Sequence, residues 1–187
     1  MKLNKLLIGL LIVFIATVLF LTLKISGKPN TKQADTSAIS NNIPIPTKVD
    51  VGSSAPDFTL TTLDKETFRL SDKKGKTVIL FGMAGWCGTC IPEGRALTQI
   101  RKEYASKGVE IIGVAFTKGD NDDFLEEFKR LGTINIPLAL DTDNVGGKYN
   151  LTRLETTYII NKDGAVVYKD EQSTSYEDYK KELDKII

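Results

Sequence analysis

The sequence predicts a mixed-sheet α/β domain carried behind an N-terminal transmembrane helix, and three observations support that prediction. From residue 50 onward, short runs of β-branched and aromatic residues alternate with longer stretches whose apolar residues recur at three- and four-residue steps. The last two strand-like runs are joined by a short polar turn, so an antiparallel hairpin closes the alternation. Ahead of the domain, residues 6–23 run for 18 positions without a charge, enough for a helix to span a bilayer core of about 30 Å.

Residues 1–24 are read as an uncleaved signal anchor. The h-region of a cleaved signal peptide is usually shorter, and no small-residue cleavage site follows the run. No cysteine lies near its end, which excludes a lipoprotein anchor. Lysines flank both ends, so charge bias decides orientation weakly. With the soluble bulk C-terminal to a short tail, the expected placement is single-pass in the cell membrane, with the domain on the extracytoplasmic side. Residues 25–49, rich in Ser, Thr, Asn, Lys and Pro, read as a flexible tether.

Within 50–187, residues 58–61 and 67–70 flank a polar turn at Asp64-Lys65-Glu66 and predict a small hairpin. Residues 77–81 form a short apolar run, as a buried strand requires. Residues 88–106 predict a helix through Ala96, Leu97, Ile100 and Tyr104, ended by Gly108. A second buried strand follows at 109–116. Asn121 or Asp122 is placed to cap a helix carrying Phe124, Leu125, Phe128 and Leu131, with Gly132 as its stop. Residues 138–140, a short helix near 146–149, and strands at 157–160 and 166–168 come next. Ser173 or Ser175 is placed to cap a closing helix through Tyr179, Leu183 and Ile186.

Composition removes several function classes. A net charge of +1 gives no electrostatic case for nucleic acid. Histidine is absent, which excludes Cys–His and Ser–His catalysis and any histidine metal or haem ligand from this chain. The two cysteines, Cys87 and Cys90, are too close in sequence to staple distant segments. They sit where the strand at 77–81 gives way to a helix. Unpaired N–H groups and the helix dipole favour a thiolate there. Cys87, at the helix mouth, is then an exposed nucleophile, and Cys90, one turn deeper, resolves the mixed disulfide. A zinc site would need two further ligands, covalent haem would need histidine where Ile91 stands, and two unrelated core cysteines are the bland alternative. No metal and no cofactor are expected.

The segments around the pair are family-like. Val51 to Leu60 (VGSSAPDFTL), Lys74 to Phe81 (KGKTVILF), Ala84-Gly85-Trp86-Cys87-Gly88-Thr89-Cys90, Lys107 to Val114 (KGVEIIGV) and Thr156 to Gly164 (TTYIINKDG) resemble, in order, the TlpA/ResA-like group of membrane-anchored thioredoxin-superfamily proteins. The resemblance covers essentially all of residues 50–187. It implies a thioredoxin-like fold, a central mixed β-sheet flanked by helices with an N-terminal β-hairpin extension. It also implies dithiol–disulfide exchange on exported thiol or disulfide proteins, apocytochrome c among them, with recharging by a membrane electron-donating thiol carrier.

Carried over residue by residue, Cys87 and Cys90 match the redox pair and Trp86 the tryptophan before it, shielding the site. Gly88 and Thr89 fall between the cysteines, where they tune the potential. Glu93 matches the group's glutamate three residues after the second cysteine, implying a proton acceptor for the resolving thiol. The family's cis-proline is replaced by Glu155, just before Thr156. A cis bond to a non-proline residue costs about 3–4 kcal/mol, so a trans, reshaped loop is the alternative. Pro92 must fall in the first helical turn or kink the helix. Competing functions are a disulfide-forming oxidase, a non-catalytic adaptor, and a peroxidase. The peroxidase's Pro and Thr are missing, with Leu80 and Ala84 in their places before Cys87.

Overall fold

A computed structural model describes residues 49–187. The apolar run at 6–23 and the tether up to residue 48 lie outside the described residues. Among the described residues no helix is long and apolar enough to cross a membrane.

Strands β1 (Thr59–Thr61) and β2 (Thr67–Arg69) pair antiparallel. Then come β3 (Thr77–Met83), helix α1 (Ile91–Tyr104), β4 (Val109–Ala115), α2 (Asp122–Gly132), β5 (Leu138–Leu140), the single turn α3 (Val145–Lys148), β6 (Thr156–Ile160), β7 (Val166–Asp170) and α4 (Tyr176–Leu183). The main sheet has the order β5-β4-β3-β6-β7. β3 runs parallel to β4 and antiparallel to β6, so the sheet is mixed. All seven residues of β3 are buried, as a central strand covered on both faces demands.

Alternation along β3 divides the core. Ile79, Phe81 and Met83 pack with Leu97 and Ile100 of α1, Leu125 and Phe128 of α2, and Tyr179 and Leu183 of α4. Val78 and Leu80 turn the other way, onto Phe58, Leu60, Tyr149 and Tyr158.

Helix ends follow local chemistry. The Asn121 side chain caps α2 by accepting from the Phe124 amide, and Ser175 caps α4 by accepting from the Asp178 amide. Gly108, at φ 85°, ends the 3-10 turn that extends α1. Gly132 does not stop α2 as expected. It is the last residue of the helix, and Thr133 takes the left-handed position at φ 55°. A Cβ at 132 would lie 2.6 Å from the Ile134 side chain, so close packing explains the glycine. Phe124 and Leu131, expected on the buried stripe of α2, are 41% and 53% exposed. α2 buries only Leu125, Phe128 and Gly132, because it meets the core along one narrow line.

Candidate active site

β3 carries the chain to the C-terminal edge of the sheet, and residues 84–86 turn it into α1. Two constraints hold that turn. The Gly85 amide donates to Asp120 Oδ1 at 2.8 Å. A Cβ on Gly85 would stand 2.7 Å from Phe124 Cβ and 2.8 Å from its carbonyl carbon, so only glycine lets the turn lie this close to α2. Asp120 Oδ2 accepts from the Thr117 hydroxyl, and Thr117 Oγ1 in turn accepts from the Trp86 indole N–H at 3.2 Å. The indole is 56% exposed, and Phe124, which packs against Gly85, is 41% exposed. Asp120 was not legible as a site residue. It is one carboxylate in a polar loop, and only the fold brings it 35 positions back to Gly85.

Cys87 and Cys90 are joined by a disulfide, with Cα atoms 5.3 Å apart. A 3-10 turn over Gly88–Cys90 leads into α1. Ile91 opens the helix and Pro92 follows in its first turn, where a missing N–H costs nothing. The Cys90 amide donates to Cys87 Sγ at 3.2 Å, and the Thr89 hydroxyl lies 3.4 Å from the same sulfur. In the reduced state both would favour a Cys87 thiolate. The expected exposure of Cys87 is not seen. It is 3% exposed and Cys90 is fully buried; both side chains belong to the apolar cluster under the sheet, while Trp86, Gly88 and Thr89 around them are exposed. Gly88 faces open space, and a Cβ there would meet nothing within 4 Å.

One turn behind the pair, Glu93 is 1% exposed. Its Oε1 accepts from the Thr157 hydroxyl of β6 at 2.8 Å and from the Tyr179 hydroxyl of α4 at 2.6 Å. The two hydroxyls are themselves 2.7 Å apart. Oε2 is buried and, among the described residues, meets no hydrogen-bond partner. Burial raises the Glu93 pKa to about 7; the Tyr179 and Thr157 hydroxyls and the Thr174 amide pull it down, and the charge of Glu155 pushes it up. The sequence pointed to Glu93, whereas Tyr179 read only as a packing residue of an amphipathic helix.

Glu155 is half-buried, at φ 62°, in a loop with no cis peptide bond. Its electrostatic effect falls on Glu93, and the structure therefore brings two carboxylates into one neighbourhood. Thr156 is buried and turns its hydroxyl back to donate to the Arg153 carbonyl at 2.7 Å, closing the loop ahead of β6. Among the described residues no group of three or more Cys, Asp or Glu is placed to hold a metal ion.

Comparison with known proteins agrees with this geometry. The Redoxin family model matches residues 50–187. The thiol-disulfide oxidoreductase ResA of Geobacillus kaustophilus is 36% identical over 141 residues, covering 75% of this chain and 80% of the relative. The thioredoxin-like protein YneN of Bacillus subtilis is 34% identical over 119 residues, covering 63% and 69%. A crystal structure of a putative thiol:disulfide interchange protein DsbE from Chlorobium tepidum superposes with a TM-score of 0.67 at 23% identity, covering 74% of this chain and 99% of that one. That likeness speaks for the fold alone. A mixed sheet flanked by helices, a cysteine pair closed at a helix mouth, and relatives that exchange thiols and disulfides converge on one assignment: the chain belongs to the Redoxin family and is a ResA-like thiol–disulfide oxidoreductase of thioredoxin-like fold.

Proposed function

We propose that the chain is a membrane-anchored reductase of disulfides in exported proteins, working on the extracytoplasmic side. One observation carries the reading: a Cys87–Cys90 disulfide at the mouth of α1 with a buried carboxyl, Glu93, one turn behind it. In the reduced protein, the Cys87 thiolate attacks a substrate disulfide and one substrate thiolate leaves. Cys90 then gives its proton to Glu93 and attacks Cys87 Sγ. The second substrate thiolate leaves, the substrate has gained two electrons, and the pair is oxidised. Glu93 supplies what reduction needs, a base beside a buried resolving thiol. The exposed indole of Trp86, the residue before Cys87, offers an apolar contact for a polypeptide at the disulfide.

The substrate class is an exported thiol or disulfide protein, with apocytochrome c as one candidate. A membrane thiol carrier returns the pair to the dithiol, and residues 6–23 anchor the chain. The relatives' oxidoreductase names support the exchange chemistry, and the apolar run supports the anchor. The test is the reduction potential of the Cys87–Cys90 pair together with Cys87→Ser. A potential near or below about −270 mV, and loss of disulfide reduction in Cys87→Ser, are expected. A potential near about −120 mV would make the protein an oxidant instead.

A further inference from the structure

Three oxygens behind the disulfide form a closed triangle. Glu93 Oε1 is 2.8 Å from Thr157 Oγ1 and 2.6 Å from the Tyr179 hydroxyl, and the two hydroxyls are 2.7 Å apart. All three residues are buried. Each contact has hydrogen-bond length, so three edges call for three protons, and two hydroxyls supply two. When Glu93 is ionised, both hydroxyls donate to Oε1 and the edge between them is left without a proton. A proton on Oε1 fills that edge. Glu93 then donates to one hydroxyl, that hydroxyl donates to the other, and the second returns its proton to Oε1. Every oxygen donates once and accepts once. Oε2 becomes the carbonyl of a neutral acid, for which burial without a partner costs far less than for half of a carboxylate.

We infer that Tyr179 and Thr157 are positioning residues, whose hydroxyls hold Glu93 Oε1 in a triangle built both to accept a proton and to give it back. The inference rests on the exchange reaction proposed above. It adds the device that keeps a deeply buried glutamate usable as a base. Desolvation alone would leave Glu93 protonated and unable to take the Cys90 proton. The two hydroxyls aimed at Oε1, together with the Thr174 amide, oppose desolvation and hold the raised pKa to about 7. The proton balance closes: Cys90 loses a proton, Glu93 Oε1 gains it, the sulfur–sulfur bond to the substrate breaks as the Cys87–Cys90 bond forms, and the neutral triangle is left in the oxidised protein. The proton then leaves to solvent or to the departing substrate thiolate.

The titratable groups that bear on Glu93 are Tyr179 from α4 and Glu155 from the loop before β6, while Cys90, three positions earlier in the 3-10 turn that leads into α1, becomes titratable once the disulfide is reduced. Glu155 pushes the proton affinity of Glu93 up, and the hydroxyls push it down. Tyr179 therefore does more than fill space on α4. A phenylalanine would pack in the same volume and would supply no donor.

The test is an infrared titration of the oxidised full-length protein, which needs no substrate and is independent of whether Cys87 reduces anything. A carboxylic acid C=O band lost between about pH 6 and pH 8, and absent in Glu93→Gln, is expected. In Tyr179→Phe its midpoint should rise by about one pH unit, and the pH profile of mixed-disulfide resolution should move alkaline with it. Thr157→Val should shift the midpoint in the same direction, while Thr157→Ser, which restores a hydroxyl, should return it. Should Tyr179→Phe not fold, the two Thr157 variants decide the matter. No band at pH 6, or an unmoved or lowered midpoint in Tyr179→Phe or Thr157→Val, overturns the inference while leaving the exchange chemistry intact. Loss of the Cys87 requirement would do the reverse.

Discussion

Glu93 shows how a single buried carboxyl ties stability to chemistry. Below about pH 4.5 it is protonated in folded and unfolded chain alike and has no effect on stability. Between there and about 7 the unfolded chain releases the proton while the fold keeps it, so stability falls as pH rises. Above about 7 the deficit is constant. Glu93→Gln is thus expected to stabilise the oxidised protein at pH 8 by about 2–3 kcal/mol and to be near neutral at pH 4.5, read from denaturant unfolding at both values. The same variant should slow resolution of the mixed disulfide, a trade of function against stability. Glu155 sets the opposite problem. A glutamate at φ 62° is strained by about 1 kcal/mol, and the ring of a proline holds φ near −65°. Restoring the family residue, Glu155→Pro, should therefore lower the melting temperature, whereas Glu155→Gly should hold or raise it. Equal melting temperatures in the two would contradict this account of the loop.

At the scale of elements, the site is built where α1 leaves β3 and where α2 crowds the turn between them. Gly85 and Gly88, three residues apart, are not equivalent. A methyl at 85 meets the backbone of α2 at 2.8–3.0 Å, and the helix must move to admit it. Gly85→Ala should cost about 1–3 kcal/mol and disturb the fluorescence of Trp86, whose indole is tied through Thr117 to Asp120. Gly88→Ala meets nothing within 4 Å and should leave stability within about 0.5 kcal/mol of the parent. Chemical denaturation of the two variants side by side checks both. α4 contributes in another way, since its Ser175 cap sets the helix phase that delivers the Tyr179 hydroxyl to Glu93.

Over the whole molecule, the two faces of the sheet divide the labour. α1, α2 and α4 share one face, which ends at the disulfide. The β1–β2 pair and Tyr149 cover the other, and the Thr62–Ala139 bridge joins that pair to the edge strand β5. The N-terminal segment of the domain is stitched to β7 through the Ser54–Ala165 bridge and the Gly52 amide to the Val166 carbonyl. The proposed function places the redox chemistry in residues 50–187 and reads residues 1–24 as an anchor. Their deletion is expected to move the protein from the membrane to the soluble fraction without changing the reduction potential of the pair. Membrane fractionation and redox titration of the shortened chain would show it, and a chain that stayed with the membrane would remove the proposed anchor.

Local chemistry makes most of this protein legible in the sequence alone. Alternation and helical periodicity place the strands and helices of 50–187, because burial on one face writes a period into the sequence. The spacing of Cys87 and Cys90 at a strand-to-helix junction exposes the redox pair, and the family resemblance adds Glu93 one turn on. What stayed hidden depends on contacts between distant positions. Neither Tyr179, 86 residues from Glu93, nor Asp120, 35 from Gly85, carries a local sign of its partner. Thr133 rather than Gly132 takes the left-handed position because packing against Ile134 claims the glycine. The burial of Cys87 comes from packing with the apolar cluster that α1, α2 and α4 share. Sequence records what each residue must do within its own turn of chain; tertiary structure alone decides which buried polar groups meet, and so where a proton can rest.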